Sequence, residues 1–297
     1  MMSGMRRSIA CFCASVPLCL CGEISRMTSQ IARSYLYVPG NRPERFDKAC
    51  AAGADAVIVD LEDAVPPTEK DSARAAMAAW LSPDKAVLVR VNASGSEWFD
   101  RDLAACDVAG VIGVILPKAE KIGDAVVSLC RKRGVALFPL IETAVGMSQA
   151  EAVAATPCVQ RLMFGTIDFQ FELGIDGDGD ELLAFRSRLV LASRLAGIQS
   201  PVDGPCTSWA DTALLIADSR RARKLGFGGK LCIHPKQVAS VNAAFSPDAA
   251  EIAWAHKVLE AAKRSGGAAV AVDGRMIDRP VILKAEQIAR QAARNAK

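Results

Sequence analysis

The sequence predicts an α/β protein, a single (β/α)8 TIM barrel followed by an extra C-terminal helical segment. Of its residues 51% are apolar but only 5% are aromatic, so small aliphatic side chains are expected to fill the core, as in other α/β proteins. Eight short apolar runs recur along the 297 residues, each followed by a segment of helical period. Their spacing of roughly 28 residues matches a repeated strand and helix unit.

Each of the eight runs is expected to form a strand buried on both faces, because its apolar residues continue without strict alternation. The predicted strands are 34–39, 55–60, 86–91, 111–116, 135–141, 161–166, 199–203 and 230–234. An open doubly wound sheet could use the same units. Eight units with no glycine-rich dinucleotide motif after the first strand favour closure into a barrel.

Helix signals occupy the segments between and after these runs. The predicted helices are one that opens at Pro43-Glu44 and those over 69–80, 181–196, 247–265 and 279–296. The last of them follows a turn at Asp273-Gly274. We therefore predict a barrel over residues 31–265 and a C-terminal extension over 266–297, which we expect to reach a neighbouring subunit.

The first 30 residues are predicted to be an N-terminal extension that is disordered or not native. Two arginines followed by an apolar stretch over 9–20 have the outline of a signal peptide, but a small-x-small cleavage site is missing. The preferred interpretation is that translation starts at Met27, which leads directly into the first strand. Residues 1–30 are therefore left out of the predicted fold.

Composition excludes several classes of partner. The net charge is only +3 and the basic residues are interspersed with acidic ones, so no nucleic-acid surface is predicted. Beyond the first 30 residues no apolar run approaches the roughly 18 residues of a membrane helix. The six cysteines of the body form no CxxC pair and are interpreted as buried hydrophobes in a reducing compartment. We expect a cytoplasmic protein that binds a small molecule.

Polar residues stand where the predicted strands end, and in a (β/α)8 barrel that end carries the active site. They are Asp60-Leu61-Glu62-Asp63, Arg90-Val91-Asn92, Pro117-Lys118, Glu142, Asp168, Asp203 and His234. Glu142 and Asp168 each follow a strongly apolar run, so both are predicted to project onto the rim. Two carboxylates from adjacent strands, in a chain with only two histidines, suit a hard cation such as Mg²⁺.

Arg90 lies two strands away from this pair and is a candidate to bind a substrate carboxylate or an enolate oxygen. The alternative is an ion pair with the neighbouring cluster of Asp60, Glu62 and Asp63. Both can hold together, because an arginine oriented by a carboxylate is better placed for substrate.

Two motifs resemble ligand sites, but one is interpreted as a loop and the other as a turn. The acidic run over 176–180 resembles the start of an EF-hand, but its sixth and twelfth loop positions are not Gly and Glu, so we predict a loop or lid after the sixth strand. The glycine-rich run over 226–230 precedes the eighth strand and is therefore a turn on the opposite face. His234 is either a base or the holder of its own loop, and His256 is interpreted as structural.

Six motifs stand in the order and spacing of a known family: SYLYVPGNRPERFDKACAAGADAVIVDLEDAV, VLVRVN, GVILPKAE, LIETAVGM, FGTIDF and GFGGKLCIHPKQV. From about Ser34 to Asp278 the chain resembles the citrate lyase β-subunit-like (citryl-CoA lyase) branch of the HpcH/HpaI aldolase superfamily. The resemblance implies a (β/α)8 barrel, a homotrimer or hexamer, and a Mg²⁺-dependent carbon-carbon lyase. Its expected substrates are 3-hydroxyacyl-CoA thioesters such as citryl-CoA, citramalyl-CoA or malyl-CoA, which it cleaves to, or forms from, acetyl-CoA and a 2-oxo acid.

The resemblance also implies roles for individual residues. Glu142 and Asp168 match the metal ligands, and Arg90 matches the arginine that binds substrate together with the glutamate. Asp278 matches an aspartate that some members lend to the site of the next subunit. The general base is left open between Asp278 and the cluster that contains Asp63.

Two further hypotheses about the function remain. One is a metal-dependent aldolase for free 4-hydroxy-2-oxo acids, but that branch uses a histidine early in the barrel and residues 31–200 contain none. The other is a catalytically idle barrel that serves as a binding subunit, in which Glu142 and Asp168 hold no metal.

Overall fold

Eight parallel strands close into a barrel in chain order, as predicted. The structure is a computed structural model that describes residues 32–264, 269–272 and 274–295, so the predicted extension 1–30 lies outside the described residues. The strands are β1 Ser34–Pro39, β2 Ala56–Asp60, β3 Val87–Arg90, β4 Val111–Leu116, β5 Ala136–Ile141, β6 Met163–Phe164, β7 Val202–Asp203 and β8 Gly229–Cys232. Strand β8 pairs with β1, and this pairing closes the barrel.

Helices follow the strands and cover the outside of the barrel. The helices are α1 Phe46–Cys50, α2 Lys70–Trp80, α3 Phe99–Ala105, α4 Asp124–Arg133, α5 Ala144–Ser148, α6 Ala150–Ala154, α7 Thr166–Leu173, α8 Leu183–Leu195, α9 Thr212–Leu225, α10 Val238–Ala244, α11 Ala249–Arg264 and α12 Arg279–Asn295. The predicted helices are confirmed to within a few residues at their ends. Within the described ranges, no helix is long and apolar enough to cross a membrane.

The alternation of side chains along each strand decides which residues reach the barrel mouth. Every strand contributes to an apolar cluster inside the barrel that includes Tyr35, Ile58, Leu88, Ile115, Leu140, Met163, Val202 and Leu231. Because alternate residues of a strand share a face, Asp60, Arg90 and Glu142 point inward above Ile58, Leu88 and Leu140. Asp203 directly follows the inward Val202 and therefore points outward, towards the helices.

Arg161 closes the end of the barrel opposite to this mouth. Its side chain is fully buried, and its guanidinium donates to the carbonyls of Ala32 and Ser200 at 2.7 Å and to the Tyr35 hydroxyl at 2.8 Å. These partners lie before or at the start of β1 and β7. The guanidinium of Arg161 thus joins the amino-terminal ends of β1 and β7, on the side of the barrel away from the polar mouth.

The C-terminal segment forms a separate layer. An antiparallel hairpin of β9 Val270–Val272 and β10 Arg275–Ile277 precedes α12, and the sequence analysis anticipated only its turn. Helices α11 and α12 pack on each other around Val258, Ile282 and Ile288, whereas α10 is the helix that lies against β1, β8 and α9. Helix α11, assigned to the barrel by the sequence, thus shares its buried face with the C-terminal layer. That the C-terminal extension over 266–297 reaches a neighbouring subunit stays a prediction.

A substitution at Gly113 of β4 tests how tightly the barrel interior is packed. A Cβ at this position would lie 2.7 Å from Leu88 Cδ2 and 2.8 Å from Phe138 Cε2. We expect Gly113→Ala to lower the free energy of unfolding by about 1–3 kcal/mol, because overpacking a filled core forces its neighbours to move. Gly123→Ser is the control, since a Cβ there meets nothing within 4 Å and serine is a good N-cap. Equal denaturation midpoints for the two variants would contradict this account.

Candidate active site

Together with Asp60, Glu142 is one of the two acidic groups at the barrel mouth that are almost fully buried. It follows β5, points inward, and only 1% of its surface is exposed. Its Oε1 accepts the backbone N–H of Lys118 at 2.8 Å, but its Oε2 has no hydrogen-bond partner among the described residues. Burial raises the pKa of Glu142 from 4.5 to about 8, and the negative charges of Glu62 and Asp168 add to the rise. A buried oxygen without a donor is rare, so this atom is available to a positively charged ligand.

Asp168 lies in the first turn of α7, immediately after the short strand β6. It is partly exposed, and its charge contributes to the raised pKa of Glu142. Gly165 separates the two elements, and a Cβ on it would overlap the Glu142 carboxylate. The end of β6 therefore lies directly against Glu142, and the structure brings the predicted metal pair to the same part of the mouth.

The donor set at the mouth suits a hard cation better than zinc. Among the described residues there is no group of three or more His, Cys, Asp or Glu side chains that could hold a metal ion. Zinc sites need three or four such ligands, whereas Mg²⁺ commonly takes one or two carboxylates and keeps water or substrate on its other positions. Glu142, with one unsatisfied buried oxygen, and Asp168 fit that second pattern.

Arg90 is held rigidly beside this pair. Its Nε and one terminal nitrogen donate to the two oxygens of Asp60 at 2.7 and 2.6 Å, and both side chains are buried. The other terminal nitrogen lies 3.0 Å from Glu62 Oε2 and 3.5 Å from the half-exposed Asp63. The carboxylates around it raise the pKa of Arg90 well above its usual value, so it is cationic at every physiological pH. The ion pair of Arg90 with the cluster of Asp60, Glu62 and Asp63, which was the alternative interpretation from the sequence, is therefore present.

Lys118 joins the acidic groups of two strands, a role that the sequence analysis missed. Its N–H binds Glu142, and its ammonium lies 2.9 Å from Glu62 Oε1. It has a φ of 47°, a left-handed conformation that is uncommon outside glycine and occurs often at functional sites. Its position at the end of the fourth strand was the only signal in the sequence, and nothing there indicated its conformation.

Lys70 is a second residue whose role was missed. The sequence places it in a surface helix, yet it is only 5% exposed. Its ammonium donates at 2.7 Å to the carbonyls of Leu61 and Glu62 and to the side chain of Asn92. Lysine is almost never buried without partners, and here it fixes the backbone that carries Glu62.

Asp203 does not face the mouth, although the sequence analysis counted it among the rim residues. Its carboxylate is fully buried outside the barrel wall, 2.8 Å from Arg186 Nε and 3.0 Å from Lys230 Nζ. The acidic run 176–180 forms a loop, as predicted, and its Asp178 binds the same Arg186. The turn predicted at 226–230 is also present, with Gly226 at a φ of 103°.

One of the two histidines, His234, has the structural contacts that the sequence analysis considered. His234 Nδ1 accepts the N–H of Lys236 at 3.1 Å, and the ring stacks on Trp209 with 5.0 Å between centroids. His234 therefore holds its own loop. His256 is exposed on α11.

Asp278 is not part of the cluster at the mouth within a single chain. It is exposed at the start of α12, where its carboxylate accepts the N–H of Val281 at 3.4 Å. The prediction that Asp278 completes the site of a neighbouring subunit therefore stays a prediction.

Comparisons with known proteins agree on one family. The family model for HpcH/HpaI aldolase/citrate lyase matches residues 33–235. A citrate lyase subunit beta-like protein of Deinococcus radiodurans is 36% identical over 277 residues, which cover 87% of this chain and 96% of the relative. A (3S)-malyl-CoA thioesterase of Cereibacter sphaeroides is 36% identical over 265 residues, 86% of this chain and 92% of the relative.

A solved structure shows the same architecture. The protein CitE of Mycobacterium tuberculosis, in complex with magnesium, acetoacetate and coenzyme A, superimposes with a TM-score of 0.79 at 35% sequence identity. The match covers 89% of this chain and 98% of that protein.

The raised pKa of Glu142 predicts how stability depends on pH in the absence of metal. Between 4.5 and about 8 the folded state binds a proton that the unfolded state has lost, so the free energy of unfolding falls as the pH rises through this window. Glu142→Gln removes this dependence. Thermal unfolding in EDTA at pH 5 and pH 8 is expected to show a larger loss of Tm for the wild type than for this variant.

The exposed Glu151 provides the control for that measurement. Glu151→Gln is expected to follow the wild type at both pH values. Parallel pH profiles for the wild type and Glu142→Gln would show that Glu142 is already ionised at pH 5, contrary to its burial.

Proposed function

The chain belongs to the HpcH/HpaI aldolase/citrate lyase family, and from this we propose that it is a Mg²⁺-dependent carbon-carbon lyase for a 3-hydroxyacyl-CoA thioester. The substrate class includes citryl-CoA, citramalyl-CoA and malyl-CoA, and the products are acetyl-CoA and a 2-oxo acid. The observation that carries the proposal is the buried Glu142 oxygen without a donor, close to Asp168 and to an immobilised Arg90. Its relatives bind or act on CoA compounds, which supports the same class.

Glu142 and Asp168 are the residues that would hold Mg²⁺. One oxygen of Glu142 is already oriented by Lys118, which leaves the other for the ion. When bound, Mg²⁺ supplies a Lewis acid for the hydroxyl or keto oxygen and the adjacent carboxylate of the substrate, worth several kcal/mol of transition-state stabilisation. A divalent cation held there would also favour the charged form of Glu142, whose pKa is raised by burial first and by the charges of Glu62 and Asp168 second.

Arg90 is proposed to bind the oxygen on which negative charge develops. In the cleavage direction a base removes the hydroxyl proton, the adjacent carbon-carbon bond breaks to leave the 2-oxo acid, and its electron pair passes to the thioester carbonyl as an enolate. The enolate carbon then takes up a proton to give acetyl-CoA. A guanidinium fixed by two bonds to Asp60 needs no reorientation as this charge forms, so its stabilisation is preorganised. Arg90 and Glu142 together are proposed to bind substrate.

The general base is proposed to be Asp278 of a neighbouring subunit or Asp63 of the same chain. The Asp63 side chain is 55% exposed and lies 3.5 Å from Arg90, so it can reach a substrate at the mouth. Asp278 is exposed, and among the described residues its carboxylate accepts the N–H of Val281 at 3.4 Å, a long contact that a neighbouring site can replace. We propose that the protein is a homotrimer or hexamer in the cytoplasm.

A thioesterase is the second candidate function, because the Cereibacter sphaeroides relative carries that name. Hydrolysis of the thioester would release free CoA and leave the carbon-carbon bond intact, which distinguishes it from the lyase reaction. The aldolase for free 4-hydroxy-2-oxo acids and the idle barrel remain as outcomes of the same assay.

The assay incubates the purified chain with Mg²⁺ and each of the three thioesters and measures acetyl-CoA, free CoA and 2-oxo acid. We expect acetyl-CoA and the 2-oxo acid in equal amounts from at least one thioester. Glu142→Ala and EDTA should each abolish the reaction, whereas Glu151→Ala, at an exposed position on α6, should not affect it.

Other outcomes of that assay overturn the proposal in distinct ways. Free CoA without acetyl-CoA would identify a thioesterase. Intact thioesters together with cleavage of 4-hydroxy-2-oxo acids would identify the aldolase. No turnover and no bound metal would identify an idle barrel.

Complementation tests the role of Asp278. Glu142→Ala and Asp278→Ala homo-oligomers should each be inactive, but mixed oligomers refolded or coexpressed from both chains should regain activity. Part of their sites would then combine an intact Glu142 with an intact Asp278 from a neighbour. An active Asp278→Ala homo-oligomer would exclude Asp278 as the base and leave Asp63 as the candidate, to be tested by Asp63→Asn.

A further inference from the structure

Helix α7, which carries Asp168, is fixed by polar side chains that do not face the mouth. Phe169 anchors it in the core, where its ring contacts Phe164 and Phe185. Thr166 is the other buried residue of this short helix. The polar contacts of the later turns act in addition on the rotation of the helix about its own axis, and with it on the orientation of Asp168.

Two such contacts hold α7, one on each side. Glu172 accepts the N–H of Ala144 at 3.0 Å, and this ties the helix to the segment that follows Glu142. Gln170 donates to the carbonyl of Gly177 at 2.7 Å, and this ties the helix to the loop over 174–179. The second contact can position the helix only if that loop is itself fixed.

The loop is fixed through Asp178. Its carboxylate accepts from Arg186 at 2.6 Å, and its carbonyl accepts from Arg186 at 2.9 Å and from Arg221 at 2.6 Å. Arg186 is fully buried on α8, and its Nε binds Asp203 of β7. Lys230 of β8 binds Asp203 as well, so the loop is attached to a buried ionic cluster that is continuous with the barrel wall.

The acidic, glycine-rich run over 176–180 therefore has a structural role other than ion binding. Gly177 has a φ of 129°, and a Cβ there would lie 2.8 Å from the Glu181 carboxyl carbon, so only glycine offers its carbonyl to Gln170 in this turn. Asp176 and Asp180 are exposed. Only the central aspartate of the three binds the buried arginine.

We propose that Asp178 is a positioning residue that latches the 174–179 loop onto the buried Arg186–Asp203 pair, so that Gly177 and Gln170 orient α7 and with it Asp168. The proposal rests on the proposed function, because it assumes that Asp168 and Glu142 hold the metal. The geometry of the Glu142 and Asp168 pair is then set from outside the mouth. The contacts that set it run from β7 through Arg186, Asp178 and Gln170.

The test measures Mn²⁺ binding by the full-length protein with electron paramagnetic resonance, without any substrate. Asp178→Ala removes the carboxylate contact with Arg186 and keeps the two contacts of the backbone carbonyl. Gln170→Ala removes the side-chain contact between helix and loop without disturbing the buried charges. Both are expected to weaken Mn²⁺ binding roughly 10–100-fold, the usual cost of losing a residue that orients a ligand. Asp176→Ala, in the same loop, is the control and should bind Mn²⁺ as the wild type does.

Hydrogen exchange gives a readout that separates positioning from general stability. Amide exchange over residues 166–179 should accelerate in Asp178→Ala and in Gln170→Ala, while exchange in β4 and β5 should not change. If Asp178→Ala fails to fold, Gln170→Ala still decides the outcome.

The outcomes separate this proposal from the proposed function. Wild-type protein that binds no Mn²⁺ would overturn the metal site itself, and the latch with it. Wild-type binding that is preserved in Gln170→Ala, or an Asp178→Ala variant that loses only Tm, would overturn the latch alone and leave the lyase proposal standing.

Discussion

The burial of several carboxylates around one barrel mouth is the constraint on which the rest of the site depends. Asp60, Glu62 and Glu142 are each at most 5% exposed. Like charges in a poorly hydrated space repel and raise the pKa values of the group, so such a cluster persists only with compensating cations. Arg90 neutralises Asp60, whereas Glu142 keeps a raised pKa and an oxygen without a donor. At the mouth the Oε2 atom of Glu142 therefore lacks a positively charged partner among the described residues.

The features around the mouth follow from that constraint. Lys118 adopts a left-handed conformation, in which its amide binds Glu142 and its ammonium binds Glu62. Lys70 is buried in order to fix the backbone of Glu62. A residue in a sparsely populated backbone conformation costs free energy, and so does a buried charge. The contacts of that residue must offset this cost. Both lysines contact the segment that carries the acidic cluster, Lys118 at the Glu62 carboxylate and Lys70 at the Glu62 carbonyl.

The chain holds a second buried ionic cluster that serves a different purpose. Arg186, Asp203 and Lys230 are fully buried outside the barrel wall, between strands β7 and β8 and the helices that cover them. Asp178 and Asp218 supply the remaining negative charge, so both cations of this cluster are paired with carboxylates. The contrast explains why one cluster is a candidate for catalysis and the other for positioning. Membership of a family of aldolases and citrate lyase subunits agrees with this division, since its chemistry belongs at the carboxyl ends of the strands.

The sequence alone determined the barrel, because eight apolar runs with helical segments between them leave few other ways to bury both faces of every strand. It also placed Glu142, Asp168 and Arg90 at strand ends, where a run of apolar residues stops at a charge. Only the tertiary structure decided that Asp203 faces outward, since a strand of two residues shows no alternation in its sequence. It alone decided the roles of Lys118 and Lys70, whose partners lie 8 to 56 residues away along the chain. Contacts between strands depend on how the closed barrel sets their register, and a local sequence pattern carries no information about that register.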